Sequence, residues 1–318
     1  MHLQGKNILV TGGTGSFGRA FVNAAIRRGA KKVIVYSRSE AAQVEHERSM
    51  SSEIRERARF FLGDVRDRDR LKRAFEYVDY VVHAAALKHV DRCEYDPLEA
   101  VKTNINGSQN VIDAALDCGV EKVLAISTDK AVNPCNLYGS TKLSADKLFV
   151  AANAYATHSR TRFSVVRFGN FLNSSGSVFP LFRQQLAEER PLTVTHPEMT
   201  RFVIELADAV SFAIELLKIC QGGEVVFPKM KAIRIWDVAM EMSPHDRPPM
   251  IVGMRDGEKL HEDFLTEADI PKTYEYPTYF MIFPNGRVLP GGFKVADGFR
   301  YSSDRCVEVK QYEQNILV

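Results

Sequence analysis

Short apolar runs recur along the first two-thirds of the chain, and the segments between them carry their apolar residues at helical spacing. Residues 7–10 predict a first strand, 32–36 a second, 59–64 a third and 80–83 a fourth. Residues 123–126 and 163–167 add two more, and 224–227 a seventh. Continuous apolar runs belong to strands covered on both faces, and the helical segments between them are the crossovers a parallel sheet requires. Helices are expected from the glycine-rich turn to about Gly29, over about 138–157, and over 205–219. The predicted class is α/β, a doubly wound parallel Rossmann-type sheet. Beyond Gly169 the alternation weakens: Asn, Ser and Gly crowd 170–176, and prolines recur from Pro228 to Pro290. That change predicts a smaller, loop-rich C-terminal substrate domain lying over the strand ends. The expected division is 1–168 with 203–229 for the dinucleotide domain, and 169–202 with 230–318 for the substrate domain.

Gly12, Gly15 and Gly18 stand between the first strand and the first helix, the context in which such a triplet binds a dinucleotide. Gly12 permits the tight turn, Gly15 lets the backbone approach a pyrophosphate, and Gly18 allows close helix packing. Thr14, Ser16 and Phe17 complete the turn, and the helix N-terminus offers its free N–H groups to the phosphates. The second strand ends Tyr36-Ser37-Arg38, without the carboxylate that holds a ribose 2′-hydroxyl in NAD enzymes. Ser37 and Arg38 suit a 2′-phosphate instead, so the expected cofactor is NADP. Asp64 and Val65, after the third strand, are expected at the adenine.

The richest chemistry lies in Ser127-Thr128-Asp129-Lys130 and in Tyr138 and Lys142 just beyond it. Tyr-x-x-x-Lys sets two side chains one helical turn apart on one face. A free tyrosine has a pKa of ~10, and a neighbouring ammonium favours the phenolate, making it a usable base. Asp129 and Lys130 add a second acid and a second base at the end of the neighbouring strand. Two acid/base couples in one site point beyond a simple alcohol oxidation.

Charge and composition exclude other classes. The 42 basic and 40 acidic residues leave a net charge of +2, and basic clusters such as 66–70 are interleaved with acids, so no nucleic-acid track is expected. The five cysteines (Cys93, Cys118, Cys135, Cys220, Cys306) are scattered without a C-x-x-C pair. Neither a disulfide framework nor a metal site is expected, and a reducing cytoplasm fits. Cys135 is read as a small loop residue, and His83 and His89 as structural. The N-terminus lacks the features of a signal peptide, and no uncharged apolar run reaches the ~20 residues of a membrane helix, so no membrane association is expected.

Taken together, these motifs resemble the extended short-chain dehydrogenase/reductase superfamily and, within it, the soluble 5-inverting UDP-N-acetylglucosamine 4,6-dehydratases. The resemblance spans residues 5 to about 304. It rests on 11–18, 83–90, Thr103-Asn104, 127–142, 167–170, 199–202, 257–262 and 301–304. Epimerases of the superfamily keep Tyr and Lys without an Asp-Lys couple, and dTDP-glucose dehydratases carry Asp-Glu where Asp129-Lys130 stands here. The resemblance implies a lyase acting on a UDP-sugar for surface glycan or flagellin sugar synthesis, working as a homo-oligomer. It implies that Ala84, Ala85, Ala86 and Asn104 join the cofactor site. Tyr138 with Lys142 would oxidise C4, Lys130 take the C5 proton, Asp129 protonate the leaving 6-hydroxyl, and Thr128 bind near the 4-oxygen. Lys88 is expected on the sugar or a substrate phosphate, Asn170 and Ser177 on the sugar or uridine, Arg201 and Arg255 on the diphosphate, and Glu258 on the uridine ribose.

The family pattern breaks at Asp256, where proline is usual, and over 305–318, which has no counterpart and no functional reading. Two other functions remain open on sequence: a UDP-hexose 4-epimerase using Tyr138, Lys142 and the cofactor alone, and a non-catalytic dinucleotide sensor. The Asp129-Lys130 couple argues against the first, and the intact Tyr/Lys couple against the second.

Overall fold

The computed structural model describes residues 3–156, 160–172, 174, 177–284, 286 and 288–307. The expected helix end at Thr157 and the segment 308–318 lie outside the described residues. Strands β1 (Asn7–Thr11), β2 (Lys32–Ser37), β3 (Ala58–Leu62), β4 (Tyr80–His83), β5 (Lys122–Thr128) and β6 (Arg162–Phe168) fall on the apolar runs. Helices α1 (Ser16–Arg27), α2 (Glu40–Ser49), α3 (Arg68–Phe75), α4 (Gly107–Asp117) and α5 (Leu137–Tyr155) connect them. Ser39 caps α2, Asp67 caps α3 and Asn136 caps α5, each accepting a backbone N–H that the first turn leaves unpaired.

Then follow β7 (Asn170–Phe171), α6 (Val178–Ala187), β8 (Thr193–Val194), β9 (Thr200–Ile204), α7 (Leu206–Ile219) and β10 (Val225–Pro228). The chain ends through β11 (Lys231–Arg234), α8 (Ile235–Met242), β12 (Met250–Ile251), β13 (Thr273–Glu275), β14 (Tyr279–Ile282) and β15 (Phe293–Lys294).

The main sheet runs β3-β2-β1-β4-β5-β6-β10-β14-β13-β15, parallel through β10. From β1 the chain winds outward first through β2 and β3, then through β4, β5 and β6. The loops after β1 and β4 therefore diverge and open a crevice at the strand ends, where doubly wound folds bind ligands. One core fills the space between the sheet and α1 and α7, with Phe21, Ile26, Val210 and Ile214 fully buried. The opposite core packs α3, α4 and α5 through Leu71, Val111 and Phe149.

Strands β13 to β15 fall in the expected substrate portion, yet they join the main sheet antiparallel beyond β10. The edge of β10 offers unpaired backbone groups, and the Tyr279–Ile282 run satisfies them while burying Phe280, Met281 and Ile282. The rest of the substrate portion builds two small sheets, β11-β9-β7 and β12-β8, around a third core containing Phe179, Phe182, Leu192 and Val238.

His46, on α2, is buried edge-on against Phe60, and neither ring nitrogen has a hydrogen-bond partner among the described residues. Burial pushes its pKa down to about 4, with Arg19 lowering it further and Glu45 opposing. The folded protein keeps this ring neutral, whereas the unfolded chain protonates it near ~6.5. Stability from this group is complete above pH ~6.5 and is lost as pH falls toward 4, by about 3 kcal/mol in all. Urea titrations at pH 7 and pH 4.5 should show His46→Leu losing less stability on acidification than the wild type. Equal losses in both proteins would refute the assignment.

Candidate active site

The glycine turn has the shape its sequence implies. Gly12 takes φ +66°, and a Cβ there would lie 2.8 Å from the Ala84 carbonyl oxygen; one on Gly18 would lie 2.5 Å from the Gly12 oxygen. No larger residue fits at either place. Gly15, exposed at the N-cap of α1, has only the Gly12 oxygen, at 3.3 Å, near its missing side chain. Thr14 uses its carbonyl to accept from Arg19, and α1 has neither a side-chain cap nor an acidic residue in its first turn. The N–H groups at Ser16 and Phe17 thus open a helix end that suits an anion. The Phe17 ring turns inward and stacks on Phe171 at 5.7 Å, tying the turn to the substrate portion.

Below the turn, Thr11 and the 84–86 loop are knit together: the Ala84 N–H donates to the Thr11 carbonyl and the Ala85 N–H to the Thr11 hydroxyl. Ala86 lies next along this wall. Asn104 sits in a π-helical turn, Val101–Asn106, and donates to the Leu87 carbonyl (3.0 Å) and to Thr141 Oγ1 (2.9 Å) while accepting from the Leu87 N–H. Its amide braces the loop that leads to Lys88. Val65 packs against Gly107, where a Cβ would come within 2.7 Å of its methyl, and Asp64 is held by Arg66 at 2.7 Å.

Strand β5 and helix α5 assemble the acid/base group. The Asp129 side chain is completely buried at the end of β5; its Oδ1 accepts from Thr128 Oγ1 and from Lys130 Nζ, both at 2.9 Å. The Lys130 ammonium also donates to Asn170 Oδ1 at 3.1 Å, which brings the loop after β6 onto the couple. Burial raises the Asp129 carboxyl above its ordinary range, against the pull of Lys130. For Lys130, burial opposes the charge, but Asp129 and Glu262 outweigh it and raise the pKa. A permanently charged ammonium is no base, so Lys130 needs somewhere to leave a proton before it can accept one.

Tyr138 stands in the first turn of α5, one turn before Lys142. Burial pushes its phenol up to about 12, opposed by the Lys130 charge and a hydrogen bond with Thr128. The expectation that Lys142 lowers this phenol needs correcting for this geometry. Lys142 Nζ donates to the Ile126 carbonyl at 2.9 Å, and the cation acting on Tyr138 is Lys130. Burial lowers the Lys142 ammonium.

The other expected substrate residues are divided. Ser177, at the N-cap of α6, has a buried hydroxyl without a partner among the described residues. Lys88 is exposed beyond β4. Arg201 is buried and donates to the Thr200, Lys259 and Leu260 carbonyls, so it clamps the 255–262 loop from within. Glu258 accepts from the Arg255 N–H and lies 3.7 Å from Arg201, while the Arg255 side chain is exposed. Glu258 thus links the Arg255 backbone to the Arg201 guanidinium. Cys135 lies 3.1 Å from the Gly257 carbonyl, a loop contact. His83 is buried between Thr11 and Ser108 with its pKa pushed down to about 3, a neutral core ring. Among the described residues no group of His, Cys, Asp or Glu is placed to hold a metal ion, and no helix is long and apolar enough to cross a membrane.

Glu262 is the residue that motif reading passed over. Its side chain is 3% exposed and its Oε1 lies 3.5 Å from Lys130 Nζ. The run 257–262 was part of the resemblance, but nothing in its spacing indicates that its last residue turns back to the end of β5.

A family model described as polysaccharide biosynthesis protein matches residues 8–284. The chain belongs to this family. It is similar to a UDP-N-acetylglucosamine 4,6-dehydratase (inverting) of Campylobacter jejuni, 46% identical over 95% of this chain and 93% of that protein. It is also similar to a UDP-glucose 4-epimerase of Rickettsia akari, 36% identical over 89% and 84%. Among solved structures, Pen from Bacillus thuringiensis superposes with a TM-score of 0.91 at 38% identity, over 97% of this chain and 95% of that one. The resemblance to UDP-N-acetylglucosamine 4,6-dehydratases is borne out.

The cofactor expectation is overturned. Several solved structures of this fold hold NAD, among them the Streptomyces venezuelae dTDP-glucose 4,6-dehydratase DesIV (TM-score 0.70, 23% identity, 80% and 86% coverage). The geometry explains why Ser37-Arg38 misled. The Ser37 hydroxyl is buried and accepts from Gln43 Nε2 at 3.1 Å, so it serves the fold, and Arg38 is an exposed residue.

Proposed function

We propose that this chain is a nucleotide-sugar dehydratase that removes water from UDP-N-acetylglucosamine with inversion at C5, using NAD, and gives a 4-keto-6-deoxy product for surface glycan synthesis. One observation carries the reading: a buried acid, Asp129, and a base, Lys130, sit at the end of β5 beside Tyr138. An epimerase needs only the tyrosine couple, and this site has a second couple in contact with it.

The glycine cradle, with Gly12, Gly15, Gly18 and the open end of α1, fits a dinucleotide pyrophosphate. A nicotinamide dinucleotide held there would supply the hydride acceptor and donor for sugar carbons 4 and 6. Tyr138 removes the 4-hydroxyl proton, with the Lys130 charge and the positive end of α5 favouring the phenolate. The ketone so formed acidifies the C5 hydrogen. Lys130 accepts that proton, and Asp129 gives one to the departing 6-hydroxyl, which leaves as water. Asn170 holds the Lys130 amino group toward the sugar. Thr128 and Ser177 supply hydroxyls to the substrate, and Lys88 and Arg255 contribute exposed cations for its phosphates. In the proposed division of labour, 1–168 with 203–229 bind the dinucleotide, and 169–202 with the later loops bind the UDP-sugar.

The similarity to UDP-glucose 4-epimerases favours a second reading, simple inversion at C4. Incubation with UDP-N-acetylglucosamine in deuterated water, read by NMR, separates the two. The dehydratase produces a 6-methyl keto sugar with deuterium at C5. A C4 epimer with an intact 6-hydroxyl would sink the proposal.

A further inference from the structure

Three acceptors surround the Lys130 amino group: Asp129 Oδ1 at 2.9 Å, Asn170 Oδ1 at 3.1 Å and Glu262 Oε1 at 3.5 Å. An ammonium has three N–H bonds, so this arrangement fits the charged form and leaves no lone pair for a C–H bond. Asp129 Oδ2 is buried without a partner among the described residues, a vacant place for a proton. Asp129 and Lys130 thus form a pair able to share one proton, and a second carboxylate, Glu262, lies 3.5 Å from the cation. Glu262 is fixed independently: its N–H donates to Ser303 Oγ at 2.9 Å, and its carbonyl accepts from the Ser303 N–H at 2.8 Å. This gives the 301–304 motif a physical task. Ser303 also hydrogen-bonds Thr200 at 2.6 Å, so the loop carrying Glu262 is pinned to β9.

We propose that Glu262 is a positioning residue whose fixed negative charge keeps the shared proton on the Asp129–Lys130 pair at neutral pH. The inference rests on the dehydratase reading and deepens it. In the resting pair Lys130 is an ammonium and Asp129 a carboxylate. Before elimination the ammonium passes one proton to Asp129, leaving an amine and a carboxylic acid. The amine then takes the C5 proton, the C6–O bond breaks, and the Asp129 proton leaves with the hydroxyl as water. Lys130 is again an ammonium and Asp129 a carboxylate, so this step returns the pair to its starting state.

The pair works only when singly protonated, so dehydration follows a bell-shaped pH profile with two macroscopic limbs. The charges facing Lys130 come from every side: Asp129 beside it, Tyr138 from α5, Arg201 from β9, and Glu262 backed by Lys259 at 3.4 Å. Glu262 raises the proton affinity of both partners. Removing its charge moves both limbs to lower pH, and removing Lys259 moves both to higher pH.

The test measures the pH dependence of 6-deoxy product formation by the full-length enzyme with UDP-N-acetylglucosamine. Glu262→Gln should shift both limbs down by about one to two units, the usual effect of a charge at ~4–6 Å. Glu262→Asp, which keeps the charge, should return them toward the wild-type position, and Lys259→Met should shift them upward. The initial C4 oxidation should change far less than water loss in each variant. A Glu262→Gln profile in the wild-type position, even at reduced height, would mean a merely structural role and overturn the proposal. So would a Lys259→Met profile that stays put, a check that does not depend on Glu262→Gln folding. If the wild type itself yields no 6-deoxy product, the dehydratase reading falls and takes this inference with it.

Discussion

Lys130→Met should lose water elimination by about a thousandfold while still oxidising C4, so that the 4-keto sugar accumulates before dehydration. The linear methionine roughly preserves the volume and removes only the amine. The two neighbouring lysines are engaged elsewhere: Lys142 with the Ile126 carbonyl, and Lys259 with the Val132 carbonyl at 2.6 Å. The substitution also strands Asp129 and Glu262 near one another with the cation between them gone. Asp129 takes up a proton, because burial and Glu262 both favour its neutral form, and that relief limits the loss of stability. Rapid-quench product analysis gives the check. Wild-type elimination by Lys130→Met would remove the lysine from the mechanism.

Tyr138→Phe should stop the reaction one step earlier, lowering C4 oxidation by about 10² to 10⁴-fold. The ring remains, and only a hydroxyl hydrogen-bonded to Thr128 is lost, so folding stability should change by no more than about 1.5 kcal/mol. The difference from Lys130→Met is qualitative. Both C5 exchange with deuterated water and water loss require the ketone, so Tyr138→Phe should abolish both, and no keto intermediate should accumulate. Deuterium entering C5 at the normal rate in Tyr138→Phe would show that another group starts the reaction. Together the two variants place the tyrosine couple before the aspartate-lysine couple in time.

Much of the fold was legible because its signals are local. The apolar runs of β1, β2, β4, β5, β6 and β10 are largely buried on both faces, so each declares itself without reference to its partners. The glycine spacing was read correctly for a similar reason, since Gly12 and Gly18 tolerate no Cβ in a strand-turn-helix unit. Strands β13 to β15 escaped because they are short, lie among prolines and glycines, and owe their order to the open edge of β10. The site shows the same divide. Thr128, Asp129, Lys130 and Tyr138 lie within eleven residues of chain and were read together, whereas Arg201 was assigned to phosphate although its donors serve the backbone of a distant loop. Ser37 was likewise assigned to the cofactor, and Gln43 holds its hydroxyl.

What the sequence determined by itself is the class of chemistry: a dinucleotide cradle, a tyrosine-lysine couple one turn apart, and an aspartate-lysine couple at a strand end. These follow from residue type and spacing inside single strand-turn-helix units, where chain geometry leaves little freedom. Only the tertiary structure decided the protonation setting of that chemistry. Lys130 is held as an ammonium by Asp129 beside it and by Glu262, 132 positions away in the chain, and Coulomb energy depends on separation in space and on burial. No local pattern of residues carries either quantity.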